Sequence, residues 1–173
     1  QLSSTNNLTF QTNPSIVVLP ENGHVLAGTF KGLYKSKDGG ASWGKVLGSG
    51  VDYGSALNDI YRIVRASDGT KNFARCEIAV SPTNPNVVYA VGNIKNAGSV
   101  VSVTTDGGLT WTSGTQPVFV DGCNGAGSAV DFTRTQAWYD LTLAVSPVSE
   151  ATVFVGGVDQ FKSLDYGKTW KQI

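Results

Sequence analysis

The chain reads Thr104-Thr105-Asp106-Gly107-Gly108-Leu109-Thr110-Trp111 near its centre, and the same pattern occurs twice more. The other two copies are Ser36-Lys37-Asp38-Gly39-Gly40-Ala41-Ser42-Trp43 and Ser163-Leu164-Asp165-Tyr166-Gly167-Lys168-Thr169-Trp170. All three follow the form Ser/Thr-x-Asp-x-Gly-x-Ser/Thr-Trp, and their aspartates lie 68 and 59 residues apart. A pattern repeated at such intervals predicts a fold built from repeated structural units.

Each octet is preceded by two short apolar runs, the first ending in proline and the second in glycine. The runs cover 77–82 and 87–92 in the middle copy, 141–147 and 152–157 in the last, and 16–20 and 24–28 in a degenerate first copy. They are rich in Val, Ile, Tyr and Phe, which is typical of β-strands. The middle repeat therefore predicts four strands, near 76–81, 87–92, 99–104 and 109–114. Four strands in a repeated unit are typical of a propeller blade.

The residue types of the octet suit a tight hairpin. The Asp carboxylate can accept hydrogen bonds from backbone N–H groups further along the turn, and the Gly two residues later adopts positive φ without steric cost. The Trp can pack against the sheet, which removes roughly 200 Å² from water and contributes on the order of 5 kcal/mol. Because the turn recurs at equivalent places, we predict structural rather than catalytic or metal-binding roles for its residues. These are Ser36, Asp38, Gly40, Trp43, Thr104, Asp106, Gly108, Trp111, Ser163, Asp165, Gly167 and Trp170.

Composition narrows the class of protein further. The chain has 173 residues, which corresponds to about one domain, and its 13 basic and 13 acidic residues balance to no net charge. A generic nucleic-acid binder or a binder of anionic membranes needs a basic field, so neither is expected. No run approaches the ~18 apolar residues of a membrane-spanning helix. Because the chain contains no Met, we expect Gln1 to be a processed or truncated end.

The octets resemble the Asp-box, also called the bacterial neuraminidase repeat, which is a hairpin at the periphery of β-propellers. Sialidases, xyloglucan-active glycosidases, sortilin-type receptors and photosystem assembly factors carry it. The resemblance implies an all-β fold of four-stranded antiparallel blades, and it says more about architecture than about activity. Residues 137–147, followed by 155–158 and the last octet, are similar to large exported proteins of Bacteroidetes-type bacteria. That similarity implies a secreted or cell-surface location.

The repeats predict three blades, at 10–47, 75–115 and 137–173, separated by inserts at 48–74 and 116–136. A closed propeller usually needs about four to eight blades. We therefore expect residues 1–173 to be part of a larger propeller whose remaining blades come from the parent chain or from another polypeptide. A compact three-blade unit is the alternative. In the first insert, the apolar spacing of Leu57, Ile60 and Val64 suits a short helix, while Ser67-Asp68-Gly69 favours a hairpin, which we prefer.

The second insert raises two questions of chemistry. Asp121, Asn124 and Asp131 offer oxygens that could bind Ca²⁺, but their spacing is not that of an EF-hand, so no metal or cofactor is expected. Cys76 and Cys123 could form a disulfide, which would stabilise the fold by about 4 kcal/mol in the chain-entropy model. Two free buried thiols are the alternative.

A candidate binding site follows the second insert. Trp138, Tyr139 and Asp140 are expected at the start of an innermost strand near the mouth of the central channel, with Arg134 close by. Aromatic rings beside a carboxylate and an arginine are a common basis for sugar binding. The alternative is that the two rings only fill the gap between blades.

The sequence carries no convincing catalytic set. A glycosidase needs two positioned carboxyl groups, and nothing selects a pair among Glu77, Asp131 and Asp140. The single histidine, His24, follows an Asn-Gly turn signal and is expected on an exposed hairpin. We therefore predict a non-catalytic module that binds protein or glycan, or that is purely structural. The alternative is part of a sialidase-like or xyloglucanase-like glycoside hydrolase.

Overall fold

A computed structural model describes residues 15–29, 32–47, 73–94, 98–120 and 129–173. The first four strands form sheet I. They are β1 (Ser15–Val18), β2 (Val25–Thr29), β3 (Gly32–Ser36) and β4 (Gly44–Leu47). Sheet II follows with β5 (Phe73–Val80), β6 (Val88–Ile94), β7 (Gly98–Thr104) and β8 (Thr112–Ser113). Within each sheet the strands lie in sequence order and every neighbouring pair is antiparallel.

A short segment separates sheet II from the last sheet. It contains the two-stranded hairpin of β9 (Val118–Val120) and β10 (Ala129–Asp131) and the four-residue helix α1 (Ala137–Asp140). Sheet III then consists of β11 (Thr142–Ser146), β12 (Ser149–Gly156), β13 (Gln160–Ser163) and β14 (Lys171–Gln172). Three four-stranded antiparallel sheets confirm the predicted all-β class. Within the described ranges no helix is long and apolar enough to cross a membrane.

The three sheets stack face to face, with sheet II in the middle. Because side chains alternate across a strand, sheet II presents one apolar set to each neighbour. The core between sheets I and II is formed by Leu19, Leu26, Leu33, Leu47, Cys76, Ile78, Val88, Ala90 and Trp111. The core between sheets II and III is formed by Val87, Tyr89, Val91, Val101, Val103, Phe132, Ala137, Leu141, Val153, Val155 and Phe161. The repeated apolar runs of the sequence therefore supply both layers.

Two glycines are required by close approach between sheets. A Cβ at Gly28 would lie 3.0 Å from both the carbonyl oxygen and Sγ of Cys76 on β5. A Cβ at Gly114 would lie only 2.2 Å from the carbonyl oxygen of Gly167 in the last octet. A contact at 2.2 Å would force the backbone or its neighbours to move, and one at 3.0 Å is tighter than nine in ten real Cβ contacts. Glycine at these positions therefore sets the spacing of sheets I and II, and of sheets II and III.

The structure corrects one expectation about local conformation. The prediction that Trp138, Tyr139 and Asp140 start an innermost strand is wrong, because all three lie in helix α1 and β11 begins only at Thr142. The helix forms because the N–H groups of Tyr139 and Asp140 donate to the carbonyl oxygen of Gln136, at 3.0 and 3.2 Å. The expected helix or hairpin within the first insert lies outside the described residues.

Candidate functional site

The middle octet joins β7 to β8 through a hairpin closed by Asp106. Its Oδ1 accepts hydrogen bonds from Thr104 Oγ1 at 2.6 Å and from the N–H groups of Leu109 and Thr110, both at 2.9 Å. Its Oδ2 accepts from Thr110 Oγ1 at 2.5 Å. Thr104 Oγ1 in turn accepts from the N–H of Gly108 at 2.9 Å. The carboxylate and the two hydroxyls therefore hold both arms of the turn together.

The other two octets repeat this network at the same place in their sheets. Asp38 accepts from the N–H of Ser42 at 2.8 Å and from its hydroxyl at 2.5 Å. Asp165 accepts from the N–H of Thr169 at 2.9 Å and from its hydroxyl at 2.6 Å. Each aspartate is thus bound within its own hairpin, between the third and fourth strands of a separate sheet.

The hydrogen bonds keep these carboxylates ionised. Donation by the side chain and N–H of Ser42 lowers the pKa of Asp38 from 3.8 to about 2. Donation by Thr169 does the same for Asp165. At Asp106, burial acts in the opposite direction, but the hydrogen bonds from Thr104, Thr110 and Leu109 outweigh it and lower the pKa to about 2. An ionised, fully engaged carboxylate is suited to closing a turn.

The three octet tryptophans differ in their surroundings. Trp111 is 3% exposed and packs in the core between sheets I and II. The indole N–H of Trp43 donates to the carbonyl oxygen of Gly40 at 2.9 Å. The indole N–H of Trp170 donates to Thr115 of the preceding sheet, also at 2.9 Å. Sheet position, rather than the octet alone, therefore decides what each indole contacts.

A second cluster of polar residues lies where the innermost strands begin. The first strand of each sheet is its inner strand, and β5 packs against both β1 and β11 as well as against helix α1. Arg75 on β5 donates Nε to Glu77 Oε1 at 2.7 Å and Nη1 to the carbonyl oxygen of Tyr139 at 2.8 Å. This arginine ties the end of helix α1 to the inner strand of sheet II. We call Arg75, Glu77, Tyr139 and Asp140 the inner-strand cluster.

Asp140 is the carboxylate of this cluster that has a buried oxygen without a donor among the described residues. Its Oδ1 is buried and has no hydrogen-bond partner within the described part of the chain. Burial raises the pKa of Asp140, and the charge of Asp131 adds to the rise while that of Arg75 opposes it. The neighbouring Tyr139 side chain is 58% exposed. The backbone of Trp138 lies in helix α1, and its side chain is outside the description.

Arg134, the fourth member of the predicted site, is engaged elsewhere. It forms a two-pronged ion pair with Asp159 in the β12–β13 turn, at 2.8 and 3.1 Å. Its guanidinium also lies 4.7 Å from the ring centroid of Phe119. Arg134 and Thr135 both have left-handed backbone conformations, with φ of 48° and 71°. Consecutive non-glycine residues in this region cost conformational energy, and the ion pair and ring contact hold them there.

Asp131 serves as a structural anchor. Its Oδ2 accepts from the N–H of Ser99 on β7 at 2.5 Å and from Gln116 Nε2 at 3.1 Å. Its Oδ1 accepts from the N–H of Thr133 at 3.0 Å and from the Thr133 hydroxyl. These bonds fasten the segment before sheet III onto sheet II. Asp121 and Asn124, the other two residues whose oxygens could bind Ca²⁺, lie outside the described ranges.

Within the described residues no group of three or more His, Cys, Asp or Glu side chains is placed to hold a metal ion. Cys76 has a free, buried thiol whose pKa is raised to about 12, mainly by burial and also by the charge of Glu77. Cys123 lies outside the description, and the bridge between the two stays a prediction.

The sequence analysis did not predict the contacts of Arg75 with Glu77 and Tyr139, or the ion pair of Arg134 with Asp159. It also did not predict that Asp131 anchors its segment to sheet II. The signal for the Arg75–Glu77 pair was present, because residues two apart on a strand share a face. The Arg134–Asp159 pair spans 25 residues and had no such local signal.

Comparisons with known proteins identify the architecture. No protein-family model matches the chain, and no curated protein matches it. Among solved structures, a GH74 enzyme from Niastella koreensis superimposes on 91% of this chain with a TM-score of 0.56 and 21% identity. An ancestral GH74 enzyme superimposes on 92%, with a TM-score of 0.58 and 21% identity. YCF48 from Cyanidioschyzon merolae superimposes on 95%, with a TM-score of 0.58 and 15% identity.

The chain spans 20%, 18% and 41% of the lengths of these three proteins, respectively. At such identities the likeness concerns the fold alone. Together with the three stacked four-stranded sheets, it shows that the chain is built as blades of a partial β-propeller.

Proposed function

We propose that the chain is a non-catalytic segment of an exported or cell-surface propeller that binds a carbohydrate or protein ligand at the inner-strand cluster. The observation that carries the proposal is Asp140 Oδ1, a buried carboxylate oxygen without a partner in the described ranges, together with the exposed side chain of Tyr139, its neighbour in sequence. An unsatisfied acceptor gains most from a ligand that donates hydrogen bonds. An exposed aromatic ring offers an apolar surface for stacking. Sugars supply hydroxyl donors and apolar ring faces, so this chemistry favours carbohydrate.

The engagement of the other carboxylates supports a binding role over catalysis. A glycosidase needs a second carboxyl group about 5–9.5 Å from the first. Glu77 is paired with Arg75, and the oxygens of Asp131 accept five donors between them. The octet aspartates are each bound within a hairpin. This leaves Asp140 without an available partner among the candidate carboxylates.

A glycoside hydrolase segment is the second candidate, and one observation favours it. Burial raises the pKa of Asp140, which is the direction required of a general acid. Two of the similar structures are GH74 enzymes, although the likeness at 21% identity extends only to fold. In this alternative, the second carboxyl group would come from residues other than Glu77 and Asp131.

The test is calorimetric binding of a panel of xyloglucan-derived and sialylated oligosaccharides, with hydrolysis followed in the same samples. We expect binding without turnover, and a loss of at least about tenfold in affinity for Tyr139→Ala and for Asp140→Asn. As controls, Val148→Ala changes an 83% exposed side chain in the turn between β11 and β12, and Glu21→Gln changes an exposed carboxylate in the turn between β1 and β2. Neither residue belongs to the inner-strand cluster, and both variants should bind as the unmodified protein does.

Two results would change the assignment. Binding that survives both cluster variants would place the ligand elsewhere on the molecule. Hydrolysis that disappears in Asp140→Asn would make the chain part of a glycoside hydrolase.

A further inference from the structure

Sheets I and II are joined by a buried lysine. Lys35 on β3 is 6% exposed, and its Nζ donates to the carbonyl oxygen of Gly107 at 2.5 Å. Gly107 directly follows Asp106 in the octet of sheet II. Burial of an ammonium group is costly unless it is hydrogen-bonded, so this contact is specific rather than incidental. The octet of one sheet thus provides an acceptor for the lysine of the sheet before it.

Sheet III carries a lysine at the equivalent position. Lys35 pairs with Leu26 across the strands and directly precedes Ser36, which opens its octet. Lys162 pairs with Phe154 and directly precedes Ser163, which opens its own octet. Val153 and Val155 face sheet II, so alternation places Phe154 and Lys162 on the opposite, outward face of sheet III.

The outward face of sheet III is only partly covered. Ala144, Phe154, Lys162 and Lys171 form one register row across it. Phe154 and Lys162 are half-buried, whereas Ala144 and Lys171 are exposed. Lys162 Nζ lies 5.8 Å from the centroid of the Phe154 ring. In sheet I the equivalent pair, Leu26 and Lys35, is covered by sheet II.

The residue directly before each octet is chemically complementary to the residue that follows the octet aspartate in the next sheet. Lys35 contacts Gly107, whose carbonyl oxygen accepts a hydrogen bond from the lysine ammonium group. In sheet II the equivalent residue is Val103, and the octet of the next sheet has Tyr166 in place of that glycine; both residues pack in one apolar core. Because Lys162 resembles Lys35 rather than Val103, we expect it to contact an octet that has glycine directly after its aspartate. The remaining octet, in sheet I, has Gly39 after its aspartate, and a Cβ built there would meet no atom within 4 Å.

Sheet I also presents the apolar residues that such a contact requires. Ile16 and Val18 are 56% and 59% exposed on its outward face. By strand register they are equivalent to Ile78 and Val80 of sheet II, which pack against sheet I. Tyr34, in the same row as Ile16, is buried, with Lys45 Nζ 5.4 Å from its ring centroid. On this face, the residues of the inner strand β1 are therefore exposed, whereas Tyr34 on β3 is covered.

We propose that the outward face of sheet III docks onto the outward face of sheet I of a second copy of this chain. Lys162 then donates to the carbonyl oxygen of Gly39, as Lys35 does to Gly107. The contact is head-to-tail, and such contacts form a closed ring when the rotation per unit permits it. The described ranges of two copies supply six four-stranded sheets, which lies within the range of about four to eight blades in closed propellers. Each copy then covers the exposed faces of the other.

The experiment measures the mass of the 173-residue protein by sedimentation velocity and native mass spectrometry over a range of micromolar concentrations. We expect a dimer. Lys162→Glu places a carboxylate against a carbonyl oxygen and should raise the dimer dissociation constant by at least about tenfold. Lys168→Glu makes the same charge change on an exposed residue of the last octet and should leave the dimer intact.

Circular dichroism and thermal melting of each variant at low concentration separate loss of association from loss of folding. As a second measurement, Ile16→Glu should also produce monomers, because it places a charge in the opposing face. A protein that stays monomeric at every concentration would overturn the proposal. So would a dimer whose stability is unaffected by Lys162→Glu and Ile16→Glu, or an open polymer in place of a closed pair.

Discussion

At the scale of single residues, the octet aspartates cap backbone N–H groups of the turn. Asp106 binds two N–H groups and two hydroxyls that would otherwise be unpaired at a sharp reversal of the chain. The same four donors recur at Asp165, and at Asp38 the two hydroxyls and the N–H of Ser42 recur, because each octet supplies these groups in the same order. Residue identity within eight positions is therefore sufficient to specify this turn.

Acid should weaken all three turns together. The folded-state pKa values of about 2 lie below the ordinary 3.8, so the unfolded chain binds more protons between these limits. The stabilisation is complete above about pH 4 and is lost as the pH falls through about 2. We expect the urea midpoint to decline across this window. Replacing Asp106 with Asn should make the decline shallower, and an unchanged slope would contradict the assignment.

Trp111 should be the most costly octet residue to truncate. It is 3% exposed between two sheets, and replacing a buried Trp by Ala removes its apolar contacts and leaves a cavity. We expect Trp111→Ala to lower the free energy of unfolding by about 3–5 kcal/mol in chemical denaturation. Leu109→Ala, in the same turn, alters a side chain that is 63% exposed and should have little effect. Equal losses would show that the indole does not contribute through packing.

At the scale of strands and turns, neighbouring sheets are joined in two different ways. At the octets, sheets I and II meet through the side chain of Lys35. Sheets II and III meet there through backbone carbonyls of the last octet: that of Gly167 accepts from the N–H of Thr115 at 3.0 Å, and that of Lys168 accepts from the Thr115 hydroxyl at 2.8 Å. Backbone contact at this range requires a residue without a side chain beside it, and Gly114 fills that position.

Gly114→Ala should therefore loosen the contact between sheets II and III. The new methyl group would lie 2.2 Å from the Gly167 carbonyl oxygen, so the two segments must separate. Overpacking of this kind typically costs about 1–3 kcal/mol, which thermal and urea unfolding would detect. Gly44→Ala is the matched control, because a Cβ on that residue of β4 meets no atom within 4 Å. A Gly114 variant as stable as the Gly44 variant would refute the close approach.

At the scale of the whole molecule, stability depends on the stacking of sheets rather than on any one of them. Sheet II is buried on both faces, and its apolar residues belong to two separate cores. Repeated units of this kind cannot bury their apolar faces alone. Opening either core should therefore expose residues that are otherwise unreachable by solvent.

Cys76 offers a direct measure of that opening. Its thiol is wholly buried between sheets I and II, and its pKa of about 12 leaves little thiolate at neutral pH. In a Cys123→Ser variant, we expect a thiol reagent to label Cys76 only at the rate at which the sheets separate, and fully in denaturant. Rapid labelling under native conditions would contradict the burial. Failure of the unmodified protein to label in denaturant without reductant would instead establish the predicted bridge to Cys123.

The sequence allowed the all-β class and the four-stranded antiparallel units to be predicted. These features depend on local rules, namely strand-forming residues between turn residues at a repeated interval. The candidate site was predicted less well. Tyr139 and Asp140 lie at the inner end of the sheets, but in a helix rather than a strand, and Arg134 is paired with Asp159.

What the sequence by itself determined is the repeated hairpin, because an aspartate, a glycine and two hydroxyls within eight residues contain all the donors and acceptors that the turn needs. What only the tertiary structure decided is which side chains meet across sheets. Arg75 reaches Tyr139 over 64 residues, and Lys35 reaches Gly107 over 72. Such pairs depend on how whole sheets stack, and packing geometry of that range leaves no mark in the local pattern of residues.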